Sequence, residues 1–212
     1  FWEARTRKEL IGPPPQTQSV TSIAFSPDGK LLAMACDDNL VRLWEVEAWR
    51  QRTNLVGHAG FINDVSFSPD SQFIVTASDD QTNRVWRATN GQIIVEFKVP
   101  SGYSFSACFS PNAKFVLTAG ADRTARVFDL VTKETLLELK GHDDVLRSAS
   151  YSPDGKLIVT ASADGTARLW EAPPSYSLAA VREFQGPIYP LAFAKEGGLA
   201  VIASKSDLAR VS

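Results

Sequence analysis

Trp2, Trp44, Trp86, Phe128, Trp170 and Ser212 stand 42 residues apart, each from the next, and Phe25, Phe67, Phe109, Tyr151 and Phe193 keep the same spacing in a second phase. A fixed period of this length marks one supersecondary unit copied along the chain, and it constrains the fold before any local pattern is considered. Such a unit is too small to bury both of its faces, so the copies must pack on one another.

The unit from Gly57 to Phe97 reads as four short strands. Ile62–Phe67 has two-residue alternation, with Asn63, Val65 and Phe67 on one face. Ser68-Pro69-Asp70-Ser71 follows as a type I turn, with proline setting φ and aspartate suited to the next position. Phe73–Ser78 is a continuous apolar, β-branched run of the kind covered on both faces. Asp79-Asp80-Gln81 turns the chain into a third strand, Thr82–Trp86, and Asn90-Gly91 into a fourth, Ile93–Phe97. The fold class is therefore all-β. Four-stranded antiparallel meanders, stacked face to face and bent to protect their edges, make a β-propeller. The chain holds five blade-equivalents in one domain over residues 1–212, with units at 17–57, 58–99, 100–141 and 142–184 and partial units at 1–16 and 185–212.

The turn recurs as Ser26-Pro27-Asp28-Gly29, Ser110-Pro111-Asn112 and Ser152-Pro153-Asp154-Gly155, and the aspartate six residues before the aromatic anchor as Asp38, Asp80, Asp122 and Asp164. Gly57-His58 and Gly141-His142, with Trp44-Glu45, Phe128-Asp129 and Trp170-Glu171, resemble the dipeptides of the WD-repeat family. The resemblance covers nearly the whole chain. It implies a propeller, most often seven-bladed, that serves as a docking platform without chemistry of its own. The N-terminal stretch supplies a third-strand end (Phe1-Trp2) and a fourth strand (Lys8–Ile11), while the last unit stops on a third strand (Leu208–Val211). Either the N-terminal strand completes the last blade and closes a five-membered ring, or the chain is a stretch of a larger, seven-bladed ring. The start inside a repeat motif, without an initiator methionine, favours the larger ring.

His58, Ser78 and Asp80 have the residue types of a serine-hydrolase triad. The same set recurs in register as His142, Ser162, Asp164 and Trp170, and an active site is not duplicated with a fold repeat. The family resemblance implies instead a buried bond network joining His58, Ser78, Asp80 and Trp86 in one unit and those four in the other. The first unit offers Gln16, Cys36, Asp38 and Trp44 in these slots, and the third offers Pro100, Gly120, Asp122 and Phe128. Arg42, Arg84, Arg126, Arg168 and Arg210 form a ladder two residues before the anchor; it reads as stems along blade surfaces, with heads paired to acids such as Glu45 or Asp129.

Slots that do not hold the fold are free to bind. Around one rim they carry Phe61, Asn63, Tyr103, Phe105, Arg147 and Tyr189, with Asp37 and Asp79 on one arc and Arg147 and Lys205 on the other. Aromatic and arginine anchors ringed by polar groups characterise protein-binding hot spots. The expected function is a non-enzymatic protein- or peptide-binding scaffold or sensor, one domain of a larger protein. The alternatives are a propeller enzyme with a central-channel active site and a nucleic-acid or lipid-headgroup binder. A net charge of −2 argues against a basic field for nucleic acid. No catalytic residue, cofactor or metal site is expected: both histidines are assigned to the network, the paired aspartates at 37–38, 79–80 and 143–144 have turn spacing, and there is no glycine-rich phosphate loop. Cys36 and Cys108 occupy unrelated positions, which suits a reducing, cytoplasmic or otherwise intracellular setting, and no membrane insertion is expected. Trp49 lies off the repeat, either as loop packing or as an outer contact.

Overall fold

The computed structural model describes residues 5–7, 12–15, 17–172, 178–183, 188–193, 200–204 and 208–209, with side chains as far as Ala172. The first sheet holds β1 (Val20–Phe25), β2 (Leu31–Cys36), β3 (Val41–Glu45) and β4 (Arg50–Leu55). The second holds β5 (Ile62–Phe67), β6 (Phe73–Ser78), β7 (Thr82–Arg87) and β8 (Ile93–Lys98). The third holds β9 (Ser104–Phe109), β10 (Phe115–Gly120), β11 (Ala125–Asp129) and β12 (Thr135–Leu139). The fourth holds β13 (Leu146–Tyr151), β14 (Leu157–Ser162), β15 (Thr166–Glu171) and β16 (Leu178–Glu183). The fifth holds β17 (Ile188–Phe193), β18 (Ala200–Ser204) and β19 (Leu208–Ala209). Every sheet is an antiparallel meander in sequence order.

The turns form for local reasons that repeat. Ser68 Oγ donates to Asp70 Oδ1 at 2.6 Å and accepts the Phe73 N–H at 2.9 Å, while the Ser71 N–H reaches the Ser68 carbonyl at 2.9 Å. The fourth turn residue lies in the left-handed region in each copy: Gly29 at φ 72°, Ser71 at 62°, Ala113 at 56° and Gly155 at 73°. Only two of these are glycine, so the side-chain bonds of the preceding Ser and Asp or Asn hold the others there.

The second strand of each of the first four sheets is buried on both faces, as its apolar composition demands; in β2 all six residues are buried. The first strands depart from plain alternation. A bulge falls at the same place in the first four, between Val20 and Ser22, Ile62 and Asp64, Ser104 and Ser106, and Leu146 and Ser148, and one residue later in the fifth, between Tyr189 and Leu191. It puts Ile62, Val65 and Phe67 on the buried face and turns Asn63 away from them, against the alternation read from the sequence.

Successive first strands adjoin, β1 to β5, β5 to β9, β9 to β13 and β13 to β17, so the sheets stack as blades. Leu31, Ala33, Ala35, Val41 and Leu43 of the first blade pack on Ile62, Val65, Phe67, Ile74 and Trp86 of the second. Equivalent faces join the second blade to the third, where Phe97 stacks on Phe128 at 4.3 Å between centroids, and the third to the fourth. Any pairing of Lys8–Ile11 with Leu208–Val211 lies outside the described residues.

Candidate functional site

The repeated polar network occupies the second and fourth blades. His58 sits on the approach to β5, Asp80 in the β6–β7 turn, Thr76 on β6 and Trp86 on β7. Trp86 Nε1–H donates to Thr76 Oγ1 at 2.9 Å, and Thr76 Oγ1 lies 2.6 Å from His58 Nε2. His58 Nδ1 lies 2.8 Å from Asp80 Oδ2, which also accepts the Ala59 N–H at 3.0 Å; Asp80 Oδ1 accepts both the N–H and the hydroxyl of Thr82. The order of donors makes His58 a neutral imidazole protonated on Nδ1, with Nε2 accepting from threonine. Burial pushes the His58 pKa down, which keeps that form at neutral pH. Burial also opposes the Asp80 charge, but hydrogen bonds from Thr82, His58 and Ala59 outweigh it and hold the carboxyl at about 2. His142, Asp164, Thr160 and Trp170 repeat the arrangement, at 2.8 Å for both histidine bonds and 2.9 Å for the indole.

The expected serine is therefore corrected. Ser78 donates to the Gly60 carbonyl at 3.1 Å and accepts the Asp80 N–H at 3.1 Å; Ser162 does the same with Asp144 and Asp164. Each serine shapes the turn that carries the aspartate, and the hydroxyl between histidine and tryptophan is threonine's. Ser78 and Thr76 are fully buried and engaged, so this constellation presents no nucleophile to a substrate. The sequence signal that would have found the threonine is the column Met34, Thr76, Thr118 and Thr160, again 42 residues apart.

The arginine ladder is also corrected. Arg42 grips Asp38 with two bonds, at 3.1 and 2.5 Å, and Arg126 holds Asp122 at 2.5 Å and Glu138 at 2.9 Å. Where histidine holds the aspartate, the arginine moves off: Arg84 stands 3.8 Å from Asp80 and 2.9 Å from Glu96. Glu45 pairs instead with Arg50, and Asp129 accepts the N–H groups of Val131 and Thr132. In the first blade Met34 replaces the threonine, and the buried Trp44 Nε1 has no hydrogen-bond partner among the described residues. Gln16 lies outside the described residues.

The rim residues separate into two kinds. Phe61 and Tyr103 are 54% and 50% exposed. Arg147 lies over the Phe105 ring at 4.8 Å, and Tyr103 meets Phe105 edge-on at 6.4 Å. Asn63 and Asp79 are bound to each other at 2.6 Å, and Asn63 also reaches the Ser104 carbonyl of the next blade at 2.9 Å. Lys205 and the side chain of Tyr189 lie outside the described residues. Sequence reading missed Asp64, on β5, which accepts from Ser22 of the first blade at 3.2 Å and from the Ala107 N–H of the third at 3.1 Å. Burial raises its carboxyl to about 6. Among the described residues no group of three or more His, Cys, Asp or Glu is placed to hold a metal. Trp49 packs against Leu32, Met34 and Trp44, which settles it as loop packing.

The family model described as "WD domain, G-beta repeat" matches residues 6–45, 49–87, 91–129 and 133–171. The chain belongs to the WD-repeat family. Three of the WD-repeat matches are offset from the blades: 49–87 runs from β4 of one blade through β5, β6 and β7 of the next, and 91–129 and 133–171 straddle two blades in the same way. Two curated relatives are both named Protein HIR1. That of Eremothecium gossypii is 36% identical over 81 residues, covering 30% of this chain and 10% of that protein. That of Kluyveromyces lactis is 34% identical over 82 residues, covering 29% and 10%. The aligned stretch is thus about a tenth of the length of these two relatives. Among the described residues no helix is long and apolar enough to cross a membrane.

Proposed function

We propose that the chain is a non-enzymatic docking platform that binds a protein or peptide segment on the rim formed by the loops before the first strands. The observation that carries this reading is the contrast within the rim. Asn63 and Asp79 spend their polar groups on each other and on the neighbouring blade, whereas Phe61 and Tyr103 stand half in solvent, with Tyr103 edge-on to the Arg147–Phe105 stack. Exposed aromatics next to a positioned arginine offer contact area and one oriented cation at low entropic cost, which suits a protein partner. Asn63 and Asp79 belong to this rim as supports for Phe61, and the repeat period assigns Tyr189 and Lys205 to the corresponding slots of the last unit. Membership of the family supports an interaction role in general; the particular rim, a place within a larger multidomain protein and an intracellular setting are our reading. The free thiols Cys36 and Cys108 suit that setting. A pull-down with Tyr103→Ala/Arg147→Ala tests the rim. Loss of partner recovery is expected, and undiminished recovery rejects this face.

A further inference from the structure

The blade–blade interfaces are not filled alike on the face opposite the rim, where the β1–β2 and β3–β4 turns and their copies lie. Between the second and third blades Phe73, Ile94 and Leu130 pack on the shared core, and between the third and fourth Phe115 does so with Ala172. The period puts Leu31, Arg52 and Ala88 in the places of Phe73, Ile94 and Leu130. The interface of the first and second blades thus lacks the phenylalanine, and a cleft of about 550 Å³ opens there, with Leu31 and Ala88 as its buried floor. It does not collapse, because two bonds tie its walls: the Asp28 N–H donates to Ser71 Oγ at 3.2 Å, and Arg52 Nε–H donates to the Thr89 carbonyl at 3.2 Å.

We propose that this cleft is a second binding site, separate from the rim, for an extended peptide segment anchored by one large apolar side chain, phenylalanine or leucine. The anchor's chemistry follows from the copies, where side chains of those two kinds occupy the equivalent space. Leu31 and Ala88 also belong to the packed core of the first interface, so the anchor extends an established contact and does not sit on an open surface. The charges at the mouth select a peptide over a bare hydrocarbon. Glu45 is answered by Arg50 at 2.8 Å, and Asp28 Oδ1 takes the Ser26 hydroxyl and the Lys30 N–H. Arg52 and Glu47 have no ion-pair partner among the described residues, and the Thr89 carbonyl already orients the Arg52 guanidinium. An apolar floor flanked by one positioned cation and one carboxylate matches an extended backbone, whose carbonyl accepts from Arg52 and whose N–H donates to Glu47.

The test titrates the 212-residue chain with a capped alanine pentapeptide carrying phenylalanine at its centre, against capped penta-alanine, and reads the backbone amide resonances. The phenylalanine peptide should shift Ala48, Ala88 and Thr89, and penta-alanine should not. Leu31→Phe and Ala88→Leu import the residues of the filled copies from opposite walls, and each should weaken the peptide about tenfold or more. Arg52→Ala should weaken it about threefold. Because the added groups enter existing space, both filled variants should melt within about 3 °C of the parent. Four results overturn the proposal. Shifts that are absent, or equal with penta-alanine, show that there is no anchor pocket. Shifts centred on Tyr103 and Phe105 assign peptide binding to the rim alone. Shifts at Ala88 that grow with protein concentration before any peptide is added assign the cleft to a second copy. Undiminished binding by both filled variants, or a larger loss of melting temperature in both, shows that the cleft is not the space the copies fill.

Discussion

Thr76→Val removes one oxygen and leaves two buried groups without a partner. The valine matches threonine in shape, so packing is held nearly constant. Trp86 Nε1–H loses its acceptor at 2.9 Å and His58 Nε2 its donor at 2.6 Å, in a site where both Thr76 and Trp86 are fully buried. Each orphaned group costs about 1–3 kcal/mol, and the added methyl returns about 1 kcal/mol. The net loss is about 3 kcal/mol, or about 6–12 °C in melting temperature for a chain of this size. The third blade supplies the control. Thr118 occupies the same slot, but Phe128 has no N–H and Pro100 no imidazole, so Thr118→Val should cost less than about 1 kcal/mol. Urea titrations followed by tryptophan fluorescence measure both, and the Trp86 indole N–H resonance should move upfield in the Thr76 variant. Equal losses at the two positions would refute the network as the source of the stability.

Gly120→Ser restores the residue found at Ser78 and Ser162, yet it should destabilise by about 2 kcal/mol or more, because a side chain there would begin 2.2 Å from the Tyr103 carbonyl; a higher melting temperature would show that the backbone yields. Asp64→Asn should change the pH profile. The carboxyl titrates near 6 in the fold against 3.8 in the unfolded chain, so its contribution is fully present below pH 3.8 and is lost as pH rises through 6. Relative to the parent, the asparagine chain should gain up to about 3 kcal/mol between pH 4 and pH 7, and denaturant midpoints with a constant offset across that range would contradict this.

The sequence disclosed the strands and turns of this chain unusually well because each is encoded by local chemistry that repeats. Ser-Pro-Asp sets a turn by itself, and an apolar β-branched run such as Ile74–Ala77 has no better place than a doubly covered strand. The bulge escaped notice because no residue type marks it: Ile62-Asn63-Asp64, Ser104-Phe105-Ser106 and Leu146-Arg147-Ser148 share no side-chain signature, only a backbone position. It decides a good deal, since it takes Asn63 off the buried face and lets Asp64 reach two neighbouring blades. The threonine was obscured for another reason. Thr76 and Ser78 lie two apart on one strand and face the same way, so alternation cannot tell which hydroxyl meets the indole. The ladder does that, by setting Ile74 opposite Trp86 and leaving Thr76 on the diagonal within reach of the indole nitrogen.

The apparent decay of the network in the first and third blades is better understood as a change of partner. The turn aspartate is present at 38, 80, 122 and 164, always four residues before an arginine. In the second and fourth blades histidine donates to it. In the first and third, where the histidine slots hold Gln16 and Pro100, the arginine closes on it instead, and at Asp122 the pair is almost as buried as His58–Asp80. A carboxylate fixed by its own turn must be answered by some donor, because left alone in that environment it would be strongly destabilising. Histidine and arginine satisfy it equally, but only histidine passes the bond on to threonine and tryptophan. The blades that use arginine give up that connection: Met34 offers the Trp44 indole no hydroxyl, and Phe128 has no N–H to pair. What the 42-residue period repeats is therefore a demand for a donor at one turn, and the tryptophan linkage is an elaboration that two of the described blades possess.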